Sequence, residues 1–276
     1  MKVDSRYIAL ILLAMYAIPV LTPLAIPVKV SEPVRVVYRR IERLQAGDIV
    51  MFEISGLLRY LPEIEAGTTA IVKHMFSRKA RIVFFSFEAE GTAFYQILMN
   101  DVNPASFGAK YGQDYVFLGY IAGGEAAEVA VITDTWAAAP TDYYGTRLEQ
   151  LPLMQKVHSG ADATLLFSVY LDAPEDRVRS YSVKGNFKDD RAWVGYTGGG
   201  NVPVAMPFVN AKQILAVLGG AVNGAEYELI SGYPGLGLVN TDIISLTHIL
   251  MMALILVTNI AFFAGLAAKH GYGRKK

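Results

Sequence analysis

The chain has 276 residues, of which 53% are hydrophobic, and its 25 basic side chains are balanced by 25 acidic ones. A chain without an excess of positive charge lacks the electrostatic footprint of a nucleic-acid-binding protein, so we expect no nucleic-acid partner. The absence of cysteine excludes disulfides, thiolate metal ligands and cysteine nucleophiles.

Two long apolar segments without Asp, Glu, Lys or Arg lie near the ends of the chain. They run from Tyr7 to Val28 and from Ile243 to Ala268, and each is long enough to cross a bilayer as a helix of about 20 residues. We interpret the first as an uncleaved anchor; a signal peptide is the alternative, because Lys2 and Arg6 precede the apolar run. The sequence therefore predicts an integral membrane protein with two spans.

These spans define the domain organisation of the chain. The predicted parts are an N-terminal tail and span over 1–28, a juxtamembrane amphipathic helix over 29–46, an α/β domain over 47–242, a second span over 243–268 and a basic tail over 269–276. The basic residues of the two tails slightly outnumber those on the domain side of the spans. This bias predicts that both termini are cytoplasmic and that the domain is extracytoplasmic.

The juxtamembrane helix has one apolar and one basic face. Val34, Val37 and Ile41 recur at the three- and four-residue spacing of a helix face, and arginines such as Arg35 and Arg39 lie on the opposite face. The basic face is a candidate binding surface for anionic lipid headgroups. The favoured alternative is a connector that packs on the domain and leaves its arginines in water.

Short apolar runs of strand length alternate with helical patterns in the central domain. Strands are predicted over 48–55, 80–87, 115–121, 164–171 and 192–196, and helices over 63–79, 91–100, 125–131, 174–182 and 211–218. This alternation is typical of a doubly wound, mostly parallel, Rossmann-like α/β sheet.

Ligands of open parallel sheets bind beyond the carboxyl ends of the strands. The residues that follow the predicted strands, and are therefore candidates for a pocket, are Ser55, Glu88, Gly123, Gly124 and Gly198. Backbone donors at the glycines suit an anion at a helix N-terminus. Neither glycine cluster matches a dinucleotide-binding or P-loop motif, so ordinary strand-to-helix turns are favoured.

A long irregular loop over 133–154 contains Asp142, Tyr143, Tyr144 and Gly145. Long aromatic loops inside α/β domains are often binding loops, contact surfaces or lids. We favour a ligand or contact surface over a catalytic lid, because this loop contains no histidine.

Two further groups of residues precede and occupy the second apolar run. Gly220 and Gly224 have the small-residue spacing that lets helices approach closely. Ser245, His248 and Asn259 share one face of the second span. Polar side chains at membrane depth face protein, so we favour hydrogen bonds to the first span or to a neighbouring subunit over an ion route.

Catalytic and metal-binding motifs are missing from the sequence. It has no H-x-x-x-H or H-E-x-x-H pattern and no G-x-S-x-G elbow. His74, surrounded by apolar residues on a predicted helix, is typical of a packed residue. We therefore predict no catalytic residue, no metal and no cofactor.

Several sequence strings carry a resemblance to a known family. They are Gly47-Asp-Ile-Val, Tyr111-Gly-Gln-Asp-Tyr, Asp142-Tyr-Tyr-Gly-Thr, Leu218-Gly-Gly, Gly224-Ala-Glu-Tyr-Glu and Thr247-His-Ile-Leu. On these strings the chain resembles an uncharacterised family of prokaryotic two-span membrane proteins with a central Rossmann-like, glutamine-amidotransferase-like domain. The resemblance implies that architecture and no assigned activity. Amidotransferase chemistry needs a cysteine nucleophile, which this chain lacks.

The sequence thus predicts a membrane-anchored α/β binding or scaffolding module in an oligomeric complex. Its predicted partners are the lipid bilayer and either further copies of the chain or other membrane subunits. One alternative is a membrane-tethered hydrolase or transferase that acts on a small anionic ligand at the strand ends. A second alternative is a subunit of a multimeric channel or transporter.

Overall fold

The computed structural model describes residues 5–22, 24, 29–172, 174–181 and 193–272. The chain divides into two compact units. One is Val28–Gly237, and the other consists of the two ends, Met1–Pro27 and Leu238–Lys276. The first unit contains the α/β domain and the second contains the apolar terminal segments.

Six strands form one sheet in the described part of the α/β unit. They are β1 (Ile49–Ile54), β2 (Arg81–Ser86), β3 (Tyr115–Tyr120), β4 (Leu165–Val169), β5 (Trp193–Thr197) and β6 (Ala216–Gly219). All neighbours are parallel, in the order β3-β2-β1-β4-β5-β6. In this order the winding reverses between β1 and β4, as it does in the doubly wound dinucleotide-binding folds. The predicted α/β class with a parallel sheet is confirmed.

Helices cover both faces of this sheet. The α-helices of the described residues are α1 (Ser5–Leu21), α2 (Glu32–Glu42), α3 (Leu61–Ser77), α4 (Gly91–Val102), α5 (Glu125–Thr133), α6 (Thr135–Ala138), α7 (Glu175–Tyr181), α8 (Val202–Asn210), α9 (Gly220–Ser231) and α10 (Leu236–Tyr272). One core cluster joins the sheet to α2, α3, α4 and α9. A second cluster, on the opposite face, joins it to α5, α7 and α8. Because both faces are covered, the strands are almost continuously buried.

Helix α2 is part of the core of the α/β unit. Its apolar residues Val34, Val37 and Ile41 are completely buried. At its start, the backbone N–H and the hydroxyl of Ser31 both donate to the carboxylate of Glu226 on α9. This geometry corresponds to the connector interpretation of the segment.

The helix predicted over 211–218 is wrong. The segment turns at Lys212, whose φ is +62°, and then forms strand β6, whereas the helix, α8, lies before it. A short apolar run does not distinguish a strand from a buried helix by its periodicity. Two prolines, Pro203 and Pro207, make the sequence of α8 atypical of a helix. Pro203 lies in the first turn, where proline is tolerated, and Pro207 interrupts the hydrogen-bond pattern of the helix.

The two apolar ends differ in length. Helix α10 has 37 residues, and its stretch Leu236–Gly265 is the only one among the described residues that is long and apolar enough to cross a membrane. Helix α1 has 17 residues, a rise of about 26 Å against a hydrocarbon core of about 30 Å. A second span is therefore not shown among the described residues, because α1 ends two residues before Pro23 in the sequence. The orientation stays a prediction.

Candidate functional site

The residues predicted to form a pocket follow strands whose carboxyl ends lie at one edge of the sheet. Ser55 is buried directly after β1, and its hydroxyl accepts a hydrogen bond from the Phe87 N–H at 3.0 Å. Glu88 is half-buried after β2, and Gly198 is buried after β5. The winding reverses between β1 and β4 at this edge, which is the position where ligands of doubly wound sheets bind.

Two backbone donors at this edge are already paired with carboxylates of the chain itself. The Leu58 N–H, in the loop after β1, donates to Glu90 at 2.7 Å. The Gly199 N–H, in the loop after β5, donates to Glu63 at 3.1 Å. Glu63 also lies in the first turn of α3, the position where an anionic ligand would meet the helix N-terminus. An anionic ligand would have to displace these carboxylates, which carry the same charge and repel it.

Gly123 and Gly124 form the turn between β3 and α5. Gly124 is the N-cap of α5 with φ +55°, and a Cβ built on Gly123 would lie 3.2 Å from the Cβ of Ala127. The first turn of α5 carries Glu125 and Glu128, which again disfavours an anion there. These glycines have the geometry of a strand-to-helix turn.

The loop around Asp142 is held rigidly. The Asp142 carboxylate is buried and accepts hydrogen bonds from the Tyr144 N–H at 3.0 Å, the Thr146 N–H at 2.7 Å and the Tyr111 hydroxyl at 2.8 Å. Burial and the hydrogen bond to Asp142 raise the pKa of Tyr111, which keeps its hydroxyl a donor. Gly145 supplies the left-handed conformation that closes the turn, with φ +83°.

Two tyrosine rings of this loop point outward. Tyr143 is 42% exposed and Tyr144 is 62% exposed. The Tyr144 ring contacts both Tyr143 and Tyr111 at centroid distances of 5.2 Å, and the Tyr143 N–H donates to the Phe117 carbonyl of β3 at 2.8 Å. We call the segment Asp142–Gly145 the tyrosine loop. It presents exposed aromatic surface on a backbone fixed to the edge strand β3.

A buried ion pair lies between β1 and α7. Glu53 of β1 is completely buried, and Arg177 of α7 donates to it through Nε at 2.8 Å and Nη2 at 2.7 Å. The Tyr181 hydroxyl donates to the other Glu53 oxygen at 2.7 Å, and Arg177 Nη1 reaches Asp172 at 2.7 Å. Such a pair is costly to break, because a lone buried charge remains.

A second buried carboxylate, Glu128 of α5, lies close to this pair. It accepts a hydrogen bond from the Ser180 hydroxyl of α7 at 2.9 Å. Burial raises the pKa of Glu128 to about 7; the positive charge of Arg177 opposes this rise, and the negative charge of Glu53 adds to it. Glu53, Glu128, Arg177 and Ser180 are named here the α7 cluster.

No pattern in the sequence indicates the α7 cluster. Its only local signal is one charged residue, Glu53, in the middle of the apolar run of β1. A charge in a strand that is buried on both faces needs a partner, but nothing in the sequence shows that Arg177, far along the chain, supplies it.

His74 is packed between α2, α3 and α9, in agreement with the expectation for a helix residue. Its Nδ1 lies 2.9 Å from the Tyr227 hydroxyl and its Nε2 lies 2.7 Å from Glu42, and the Tyr38 ring stacks on it at 5.0 Å. Burial lowers the pKa of His74, and Glu42 opposes this shift.

The small residues Gly220 and Gly224 both lie in the α/β unit. Gly224 of α9 faces Gly67 of α3: a Cβ on Gly224 would lie 2.7 Å from the Tyr196 hydroxyl oxygen and 3.2 Å from the Gly67 Cα. Gly220 begins α9 with φ +65°, and its added Cβ would lie 3.2 Å from the Gly199 backbone. The close helix pair at this spacing is therefore α3 with α9.

The polar residues of the second apolar run all lie on α10. Ser245 is half-buried, whereas His248 and Asn259 are exposed. The helix surface around them carries large exposed apolar side chains, among them Ile255, Leu256, Ile260, Phe262 and Phe263.

Comparison with known protein families, curated proteins and solved structures gives no match. Among the described residues, no group of three or more His, Cys, Asp or Glu side chains has the arrangement of a metal site. A small cavity lined by Phe76, Lys79, Phe107 and Asp114 opens where β2 and β3 begin, at the edge opposite the predicted strand-end residues. The functional proposal therefore rests on the geometry of the tyrosine loop and of the sheet edge.

Proposed function

We propose that this chain is a membrane-anchored, Rossmann-like binding module, and that its tyrosine loop contacts a protein partner in the same membrane. The partner is a further copy of the chain or another membrane subunit. The observation that carries the proposal is the combination of a fixed backbone with exposed aromatic rings at Tyr143 and Tyr144.

Exposed tyrosines on a rigid loop are suited to binding. Tyrosine is enriched among the residues that dominate interface energies, and it offers large contact area with few rotatable bonds. The three hydrogen bonds accepted by Asp142 fix the loop before any partner arrives, so little conformational entropy is lost on association.

Helix α10 supports the membrane part of the proposal. Its apolar side chains are exposed along Leu236–Gly265, which suits a hydrocarbon environment. His248 and Asn259 would be unfavourable against lipid tails, so a neighbouring helix is expected to cover them.

The sheet edge weighs against the rival hydrolase or transferase. A small anionic ligand needs free donors, and the Leu58 and Gly199 N–H groups are paired with Glu90 and Glu63. The same argument disfavours dinucleotide binding, although the strand order is that of the dinucleotide-binding folds.

Site-specific photo-crosslinking in native membranes tests the proposal. A photoreactive phenylalanine analogue at Tyr144 is expected to give a discrete protein adduct. The matched control places it at Leu229, which is 50% exposed on α9. Helix α9 directly follows β6, the edge strand at the opposite end of the sheet from β3. The proposal also predicts that Tyr143→Ala together with Tyr144→Ala weakens the association about 30-fold or more, since one interface hot spot contributes about 2 kcal/mol or more.

Mass spectrometry of the adduct identifies the partner as a second copy or a different subunit. Thermal unfolding of the double variant checks that the α/β unit is intact. Adducts with lipid alone at Tyr144, or equal protein adducts at Tyr144 and Leu229, would contradict the proposed contact.

A further inference from the structure

The α7 cluster contains two acidic groups and one basic group in a buried space. Glu53 is completely buried, Glu128 is 4% exposed and Arg177 is 2% exposed. Arg177 is committed to Glu53 through two nitrogens and to Asp172 through the third. Among the residues that the structure describes, Glu128 therefore has no cation of its own, and its hydrogen-bond donor is the neutral Ser180 hydroxyl.

We propose that α7 is a proton-controlled latch, docked firmly on β1 and α5 while Glu128 is protonated and opened more often when Glu128 ionises. Side-chain contacts tie α7 to both neighbours in the docked state. On the sheet, Glu53 accepts hydrogen bonds from Arg177 and Tyr181. On α5, Glu128 accepts one from Ser180, and Glu125 pairs with Arg179. Ionised Glu128 adds a second buried negative charge beside Glu53 without adding a cation, and release of α7 lets water reach it.

Charged groups face Glu128 from the elements packed on α5. Strand β1 contributes Glu53, and α7 contributes Arg177 and Asp176. On α5 itself, Glu125 is engaged with Arg179 in an exposed ion pair. Helix α6 has no titratable side chain, and Asp162, in the neighbouring 3-10 turn, accepts hydrogen bonds from the backbone of His158 and Ser159. Burial and the negative charge of Glu53 therefore raise the pKa of Glu128 by more than the positive charge of Arg177 lowers it.

The sign of the pH dependence follows from this balance. In the docked state the pKa of Glu128 is about 7, against 4.5 for an ordinary glutamate, which is the value expected when α7 is released into water. The released state therefore loses its proton first as the pH rises. The opening equilibrium increases about tenfold between pH 6 and pH 8.

Hydrogen–deuterium exchange of the full chain in detergent micelles measures this opening. After correction for the intrinsic pH dependence of exchange, the protection of α7 amides is expected to fall about tenfold between pH 6 and pH 8. Glu128→Gln removes the titrating group, so its protection should be equal at the two pH values. The matched control Glu125→Gln lies on the same helix, with a side chain that is 42% exposed. It loses the ion pair to Arg179 of α7, so the protection of α7 is expected to be lower at both pH values, but the tenfold change between them should remain.

A third variant keeps the test decisive even where Glu128→Gln alters folding. The Ser180 hydroxyl lowers the pKa of Glu128 by its hydrogen bond, so Ser180→Ala is expected to shift the midpoint of the exchange transition to higher pH. Wild-type protection that does not change with pH would overturn the latch. A pH dependence retained in Glu128→Gln, or a midpoint that stays or falls in Ser180→Ala, would overturn it as well.

Discussion

Replacement of Arg177 by methionine is the sharpest test of the buried ion pair. Methionine is similar in length and unbranched, so it fills most of the space but leaves Glu53 without its cation. The Glu53 carboxylate would retain the hydrogen bond from Tyr181. Removing one partner of a buried pair costs about 3–5 kcal/mol, because the remaining charge is desolvated and uncompensated.

The loss of stability expected for Arg177→Met follows from the two carboxylates that Arg177 contacts, Glu53 and Asp172. The bond to Asp172 contributes little, because the Asp172 side chain is 63% exposed. Almost all of the loss therefore comes from Glu53, and we expect about 4 kcal/mol. Glu53→Gln added to Arg177→Met removes the lone charge and keeps an oxygen for Tyr181. The double variant should recover about 2 kcal/mol or more of the loss.

Urea unfolding of the full chain in detergent micelles measures these free energies. Tryptophan fluorescence reports on the α/β unit, since Trp193 packs against Tyr181 with ring centroids 5.3 Å apart. Glu53→Gln alone completes the double-mutant cycle. A loss below about 1 kcal/mol for Arg177→Met, or a double variant less stable than Arg177→Met, would refute the reasoning about the uncompensated charge.

Two further predictions concern the face of the sheet covered by α3 and α9. Gly224→Val should lower the free energy of unfolding by about 1–3 kcal/mol, because the added side chain meets the Gly67 backbone and the Tyr196 hydroxyl; urea unfolding checks this, and a neutral effect would argue against the close helix approach. Because burial lowers the pKa of His74 below 6.5, its contribution is complete above that pH and is lost as the pH falls below it. The melting temperature of His74→Gln should therefore fall less than that of the wild type between pH 7.5 and pH 5.5, since all other titrating groups are shared; equal falls would show that His74 is not the cause.

The sheet was predictable from the sequence because its strands are buried on both faces. Short apolar runs such as those of β1 and β2, separated by helical patterns, are typical of the buried strands of a parallel sheet. The parallel arrangement followed from the same alternation. The strand order required the structure, because no local pattern states which strand lies beside β1.

The differences between the predicted and the observed elements have local physical causes. Residues 211–218 form a short apolar run whose length fits both a helix and a strand. The backbone turns at Lys212, so the residues after it form a strand instead of a helix. Helix α1 ends at Leu21, before the predicted limit of the first span at Val28. Hydropathy takes no account of Pro23, which disfavours continuation of the helix. Both differences arise because apolar content alone ignores the backbone constraints that interrupt an element.

The candidate site was predictable only where its residues are adjacent in sequence. Tyr143 and Tyr144 were visible as a loop, although the role of Asp142 as acceptor of three hydrogen bonds appears only in the structure. The ion pair of Glu53 with Arg177 joins segments that are 124 residues apart, and no short sequence pattern predicts it.

The central claim, a membrane-anchored module bound to a protein partner, is tested most directly by the mass of the native particle. The full chain is extracted from its own membrane into polymer-bounded lipid discs, without detergent, and its mass is measured by native mass spectrometry. We predict a particle that contains more than one polypeptide, either several 30.1 kDa chains or one chain with a second subunit. A particle that contains a single copy of this chain and lipid alone would contradict the account.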